Sequence, residues 1–107
     1  MHSFKDLAGR EWSLSITIGT VKRVKAETSV LITDAVDFAW LQELLADAVK
    51  FNEVLWAMVK GQAENLKTGA ITQEQFDDSI AGEARQDALK AFEDALVDFS
   101  HPAIRGA

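Results

Sequence analysis

Residues 4–28 read FKDLAGREWSLSITIGTVKRVKAET, and within them the spacing of apolar residues changes from that of a strand to that of a helix. Positions 4–7 predict a short strand, and Ala8-Gly9-Arg10 predicts a turn in which Gly9 supplies a positive φ. From Trp12 to Ile16 apolar and polar residues alternate, which is typical of a half-buried strand. The stretch therefore begins with a predicted β-hairpin.

The second part of the stretch predicts an amphipathic helix. Thr17 is a suitable N-cap, and apolar residues recur at helical spacing at positions 18, 21 and 24. The helix is expected to end near 28–29. Three basic side chains turn away from its apolar side and form what we call the basic face: Lys22, Arg23 and Lys25.

The remainder of the chain predicts further helices. They are expected over about 35–46, over 48–67 after an Asp47 cap, in a short helix after the Thr72-Gln-Glu-Gln75 capping box, and over 83–99. The predicted fold is mainly α, an N-terminal β-hairpin followed by a bundle of about four to five helices. We expect a single domain, 1–107, with the hairpin in 1–16, the bundle in 17–100 and a flexible tail in 101–107.

Composition narrows the classes of function. The 107 residues are 48% hydrophobic and 26% charged, as in an ordinary globular domain, and there is no cysteine for a disulfide or a thiolate ligand. No apolar run approaches the roughly 20 residues that cross a bilayer, and no signal peptide is recognisable. The expected location is the cytoplasm, without membrane contact.

The net charge of −6 is unevenly distributed. Residues 1–30 hold five basic and three acidic groups, whereas residues 31–107 hold six basic and fourteen acidic ones. The excess of acidic groups in residues 31–107 disfavours nucleic-acid binding, because it repels a phosphate backbone. The basic face has three interpretations: a solvated helix surface, a DNA contact, or a contact with the acidic helices of another copy in a homo-oligomer.

Residues suited to catalysis are scarce. The two histidines, His2 and His101, lie at opposite ends of the chain. The carboxylate pair Asp77-Asp78 is expected just inside a helix start, where acids favour the helix dipole. Neither a metal-ligand spacing nor a phosphate-binding glycine pattern occurs. The sequence therefore predicts no enzyme activity, no metal site and no cofactor.

The aromatic content is high for so small a core, with three Trp and six Phe. Either all three tryptophans, at positions 12, 40 and 56, are buried, or one or two line a groove or an oligomer interface, where Trp is enriched. The third predicted helix is apolar around much of its circumference, so it either lies at the centre of the core or also contacts a partner helix.

These segments together resemble the small tail assembly chaperones of long-tailed bacteriophages, prophages and gene-transfer particles. The hairpin with Gly9-Arg-Glu-Trp12, the threonine-capped helix 17–28 and the link Val30-Leu-Ile-Thr-Asp34 carry the likeness in the first third of the chain. Asp47-Ala-Val-Lys-Phe-Asn-Glu-Val-Leu resembles the family's long middle helix, and Ala95-Leu-Val-Asp-Phe-Ser-His-Pro102 resembles its closing helix. Ser29 departs from the pattern, which has glycine after the first helix.

The resemblance implies a protein that binds the tape measure protein, a long apolar helical chain that sets tail length, and that helps tail tube subunits assemble around it. The expected partners are thus the tape measure protein and the tail tube protein, in the cytoplasm of the bacterial host. We expect the client in a groove formed by one set of residues: Trp40, Leu44, Leu55, Trp56 and Val59. The basic face is expected to contact a neighbouring copy.

Two other functions remain open. A virion structural or tail-completion protein would use the hairpin to pair edge to edge with other subunits. A small helical regulator or DNA-binding module would use the basic face on the phosphate backbone.

Overall fold

A computed structural model describes residues 2–32 and 38–100. Its elements follow the chain in the order β1 (His2–Lys5), β2 (Glu11–Leu14), α1 (Ile18–Thr28), α2 (Phe38–Ala46), α3 (Ala48–Glu64), α4 (Gln73–Asp78) and α5 (Gly82–Ser100). The prediction of a mainly helical fold with an N-terminal hairpin is confirmed. The predicted start of the second helix, near residue 35, and the predicted tail at 101–107 lie outside the described residues.

The hairpin is antiparallel, with Phe4 opposite Trp12, but β1 lies two residues earlier than the predicted strand 4–7. The cause is Asp6, whose Oδ1 accepts hydrogen bonds from the main-chain N–H groups of Ala8 (2.9 Å) and Arg10 (3.0 Å). Such side-chain bonds draw the main chain into a turn. The strand therefore ends at Lys5, and the turn contains Gly9 at φ +82°.

The predicted helix caps are confirmed at three positions. The side chains of Thr17, Asp47 and Thr72 accept main-chain N–H bonds three residues further on, and Thr72 forms a complete capping box with Gln75. The predicted end of α3 near residue 67 is wrong, because Asn65 turns its side chain back to the carbonyl of Gly61 (2.8 Å) and the helix stops at Glu64.

The core is assembled around α3, which packs against α1, α2, α4 and the hairpin. Four aromatic rings in it form edge-to-face pairs, Trp12 with Phe76 and Phe51 with Phe92, each with ring centroids 5.3 Å apart. On the other side of the core, β1 packs closely against α5. The inward side of α5 carries a row of buried alanines: Ala84, Ala88, Ala91 and Ala95.

Among the described helices, none has both the length and the apolar character needed to cross a membrane.

Candidate functional site

Three of the five residues predicted to line the client groove are buried. Leu44 is 3% exposed, and Leu55 and Val59 are fully buried. These side chains form the interior of the bundle because α3 is surrounded by other elements, so that most of its apolar circumference packs within the chain. Of the two alternatives for this widely apolar helix, a position at the centre of the core is the one that the buried side chains of α3 support.

The three tryptophans differ in their surroundings. Trp12 is fully buried, and its indole Nε1 donates to Asp6 Oδ2 at 3.0 Å. Trp56 is half-buried, with its ring tilted against Phe76 at a centroid distance of 5.4 Å. Trp40 lies in α2, and its side chain is outside the described part of the structure. Of the predicted groove, Trp56 is therefore the residue with described exposed surface.

A different apolar surface occurs where α2 meets α3. Seven of the nine residues of α2 are apolar, yet Leu44 is the buried one among its described side chains. Leu41 and Leu45 are half-buried, and Val49 in the first turn of α3 is 71% exposed. A helix this rich in apolar residues normally has most of its side chains inside a protein. This one instead leaves apolar surface uncovered.

A shallow groove of about 240 Å³ continues this surface, lined by Ala48, Val49, Asn52, Asp77, Ile80 and Arg85. Arg85 joins the groove to α2, because its Nη2 donates to the carbonyl of Leu45 at 3.0 Å in the last turn of that helix. We call the combined region the junction surface: Leu41, Leu45, Ala48, Val49 and Ile80. Sequence reasoning did not select it. The available signal was Val49, which stands off the main apolar stripe of α3.

The basic face is exposed, as its spacing predicted. Arg23 has an internal role as well, since its Nε donates to the carbonyl of Ala57 at 3.2 Å and so links α1 to α3. Nearby, Lys60 Nζ lies 3.2 Å from Glu27 Oε1. The face is thus partly used for packing the helices together.

The best-satisfied polar group of the hairpin is the carboxylate of Asp6, which has no exposed side-chain surface. Its Oδ2 accepts from Arg10 Nε (2.8 Å) in addition to the Trp12 indole. Arg10 Nη2 in turn donates to Ser79 Oγ (2.7 Å), and the Leu7 N–H donates to the Ser79 carbonyl (2.9 Å). The turn is thereby attached to the segment between α4 and α5.

These contacts change the acidity of Asp6. Burial alone would raise its pKa, but hydrogen bonds from the Trp12 indole and from Arg10, together with the positive charge of Arg10, outweigh burial. The net result is a pKa below the ordinary value of 3.8. The buried group is therefore a carboxylate at neutral pH, with a structural use already accounted for by its partners.

The carboxylate pair Asp77-Asp78 was expected at a helix start, and this expectation is wrong, because both residues close α4. Asp77 is stabilised there by a hydrogen bond from the side-chain amide of Asn52. Within residues 2–32 and 38–100, no group of three or more His, Asp or Glu side chains is arranged to hold a metal ion.

Comparison with known proteins gives no assignment: the chain matches no protein-family model, no curated protein and no solved structure.

Proposed function

We propose that this chain is an assembly chaperone that binds a long, apolar helical client through the junction surface. The observation that carries the proposal is the composition of α2, an almost wholly apolar helix of which Leu44 is the one buried side chain among those described. From the sequence resemblance to tail assembly chaperones, we further propose the tape measure protein as the client and the host cytoplasm as the place of the activity. The tail tube protein is the second proposed partner.

The geometry of the junction surface suits an amphipathic helix. Val49 and Ile80 line one groove, and Leu45 lies next to it through the Arg85 contact. Apolar side chains of a client, spaced three or four residues apart, would cover these positions in the mode used by other helix-binding grooves. Polar groups at the rim, Asp77 and Arg85, would remain hydrated around the contact.

The test is co-expression of the tagged chain with the long helical protein encoded downstream of it. We expect this client to be soluble and to co-purify with the wild-type chain. The Val49→Asp variant places a charge in the apolar contact and should reduce client recovery at least tenfold. Because Val49 is 71% exposed, the substitution should leave the circular dichroism spectrum and the thermal midpoint almost unchanged.

A matched control is Val97→Asp, the same change at a residue of α5 that is 48% exposed and lies outside the junction surface. It should retain the client at the wild-type level. Equal recovery with both variants would contradict the assigned surface. A client that precipitates without retaining the wild-type chain would contradict the chaperone function itself, and purified particles would then be searched for this protein as a virion component.

A further inference from the structure

We propose that the outer edge of β1 is a second binding site, which takes one extended, basic segment of a partner protein as a third strand. This site is separate from the junction surface, because it is formed by the hairpin and α5.

The hydrogen-bond ladder identifies the groups that are available. The Asp6 N–H donates to the Arg10 carbonyl at 3.0 Å, so residues 6 and 10 form a hydrogen-bonded pair. Such pairs alternate along an antiparallel ladder with pairs whose main-chain groups face outward. By this alternation Phe4 and Trp12 bond to each other, whereas Ser3 and Lys5 direct their N–H and C=O groups away from β2.

The two edges of the hairpin differ in whether their outward main-chain groups are hydrogen-bonded. On the β2 edge, the side-chain amide of Gln62 takes the place of a strand: its Oε1 accepts from the Ser13 N–H (2.9 Å), and its Nε2 donates to the Ser13 carbonyl (2.7 Å). On the β1 edge, no group within residues 2–32 and 38–100 meets the outward main-chain groups of Ser3 or Lys5. Their spacing, about 6.8 Å along the strand, is the spacing that another extended chain presents.

A cleft of about 460 Å³ beside this edge provides room for such a segment. The face of α5 that includes Asp87, Lys90 and Asp94 forms one wall, and Lys5 and Glu11 of the hairpin line the other. Three carboxylates therefore face two ammonium groups, and Lys90 is already within 3.9 Å of Asp94. The excess negative charge favours a segment with basic side chains, and the alternating main-chain groups require it to be extended.

The experiment uses the full chain, isotopically labelled, and an acetylated and amidated peptide of sequence Thr-Lys-Val-Lys-Val-Thr. We expect saturable chemical-shift changes at Ser3 and Lys5, and amide exchange at these two positions that slows at least tenfold when the peptide is bound. The peptide with glutamate in place of lysine should bind at least tenfold more weakly, because the cleft carries excess negative charge.

Two matched variants at Ser3 test whether its main-chain N–H is used. Ser3→Pro removes an outward N–H without removing a ladder bond, and proline is tolerated at such edge positions. It should weaken peptide binding at least tenfold. Ser3→Ala keeps the main-chain N–H at the same position and changes no charge of the cleft, and it should keep the dissociation constant within about twofold. A peptide methylated at its central main-chain nitrogens should fail to bind the wild-type chain, which tests the ladder even where a variant does not fold.

Equal binding by Ser3→Pro, or shift changes confined to another surface, would overturn the proposal. So would slower exchange at Ser3 and Lys5 that grows with protein concentration in the absence of peptide, since a second copy would then occupy the edge.

Discussion

Asp6 shows how much a single buried carboxylate can organise. Each of its two oxygens accepts two hydrogen bonds. Oδ1 accepts from the main-chain N–H groups of Ala8 and Arg10. Oδ2 accepts from Arg10 Nε and the Trp12 indole. Together they close the hairpin turn and orient the buried indole of Trp12. The desolvation cost of a buried charge is offset here because every accepting position has a donor.

The Asp6→Asn variant should lose about 3 kcal/mol of unfolding free energy, measured by urea denaturation at pH 7. The amide replaces one oxygen by an NH₂ group, which then faces two N–H donors and leaves them unpaired. The matched control is Asp78→Asn, the same change at an exposed residue, which should stay within about 0.5 kcal/mol of the wild type. Similar losses in both variants would contradict the role given to Asp6.

The same group predicts a dependence on pH. Because the pKa of Asp6 is lower in the folded chain than in the unfolded chain, its contribution to stability is complete above the unfolded pKa, which is near the ordinary value of 3.8. The contribution is lost as the pH falls through the folded pKa. The stability gap between the wild type and Asp6→Asn should therefore be constant from pH 7 to pH 5 and should narrow below pH 4. A gap that stays constant at lower pH would exclude this linkage.

At the scale of the element, α1 ends at a residue with an unusual conformation. Ser29 has φ +63°, and its N–H donates to the carbonyl of Lys25 at 2.9 Å. This left-handed geometry is the one that glycine adopts at many helix ends. The turn expected after α1 is therefore formed with serine at the position where the resemblance has glycine, and the side chain retains the steric cost of its Cβ.

The Ser29→Gly variant should stabilise the chain by about 0.5 to 1 kcal/mol, because removal of the Cβ relieves this cost and only part of the gain is offset by the greater freedom of glycine in the unfolded chain. A rise of a few degrees in the thermal midpoint is the expected measurement. Ser29→Ala keeps the Cβ and should show no gain. A gain with alanine would mean that loss of the hydroxyl, rather than the φ angle, is responsible.

On the scale of the whole molecule, a negative net charge accompanies an exposed apolar surface. The chain has a net charge of −6, while Leu45 and Val49 leave apolar surface open at the junction surface. An acidic exterior helps to keep a complex with an apolar client in solution. The proposed contact itself is apolar, which distinguishes it from a contact made by the basic face.

Client binding should therefore change less than about threefold between 50 mM and 500 mM NaCl, measured as the dissociation constant for a helical client peptide, because salt screens charge pairs but not apolar contacts. As an internal control, binding of the basic peptide to the β1 edge should weaken clearly over the same range. Steep salt dependence of client binding would instead point to the basic face, Lys22, Arg23 and Lys25.

The fold class, the hairpin turn and the helix caps at Thr17, Asp47 and Thr72 could be predicted from the sequence, because each depends on residues within a few positions of one another. Hydrophobic period and capping chemistry are local properties, and local hydrogen bonds express them directly. The early end of β1 also has a local cause, the side chain of Asp6. The hold on that side chain depends as well on Trp12, which donates to it, and on Ser79, which binds its partner Arg10, and the fold brings these residues together.

Which apolar residues are exposed was decided by tertiary structure alone. Leu55 and Val49 belong to one helix and are similarly hydrophobic, yet one is fully buried and the other is 71% exposed. The difference arises because the neighbouring elements cover one part of the circumference of α3 and leave another part open. Hydrophobic periodicity does not specify which element packs against which side of the helix. The open β1 edge and the Gln62 cap on the β2 edge have the same origin, since residues 13 and 62 meet only in the folded chain.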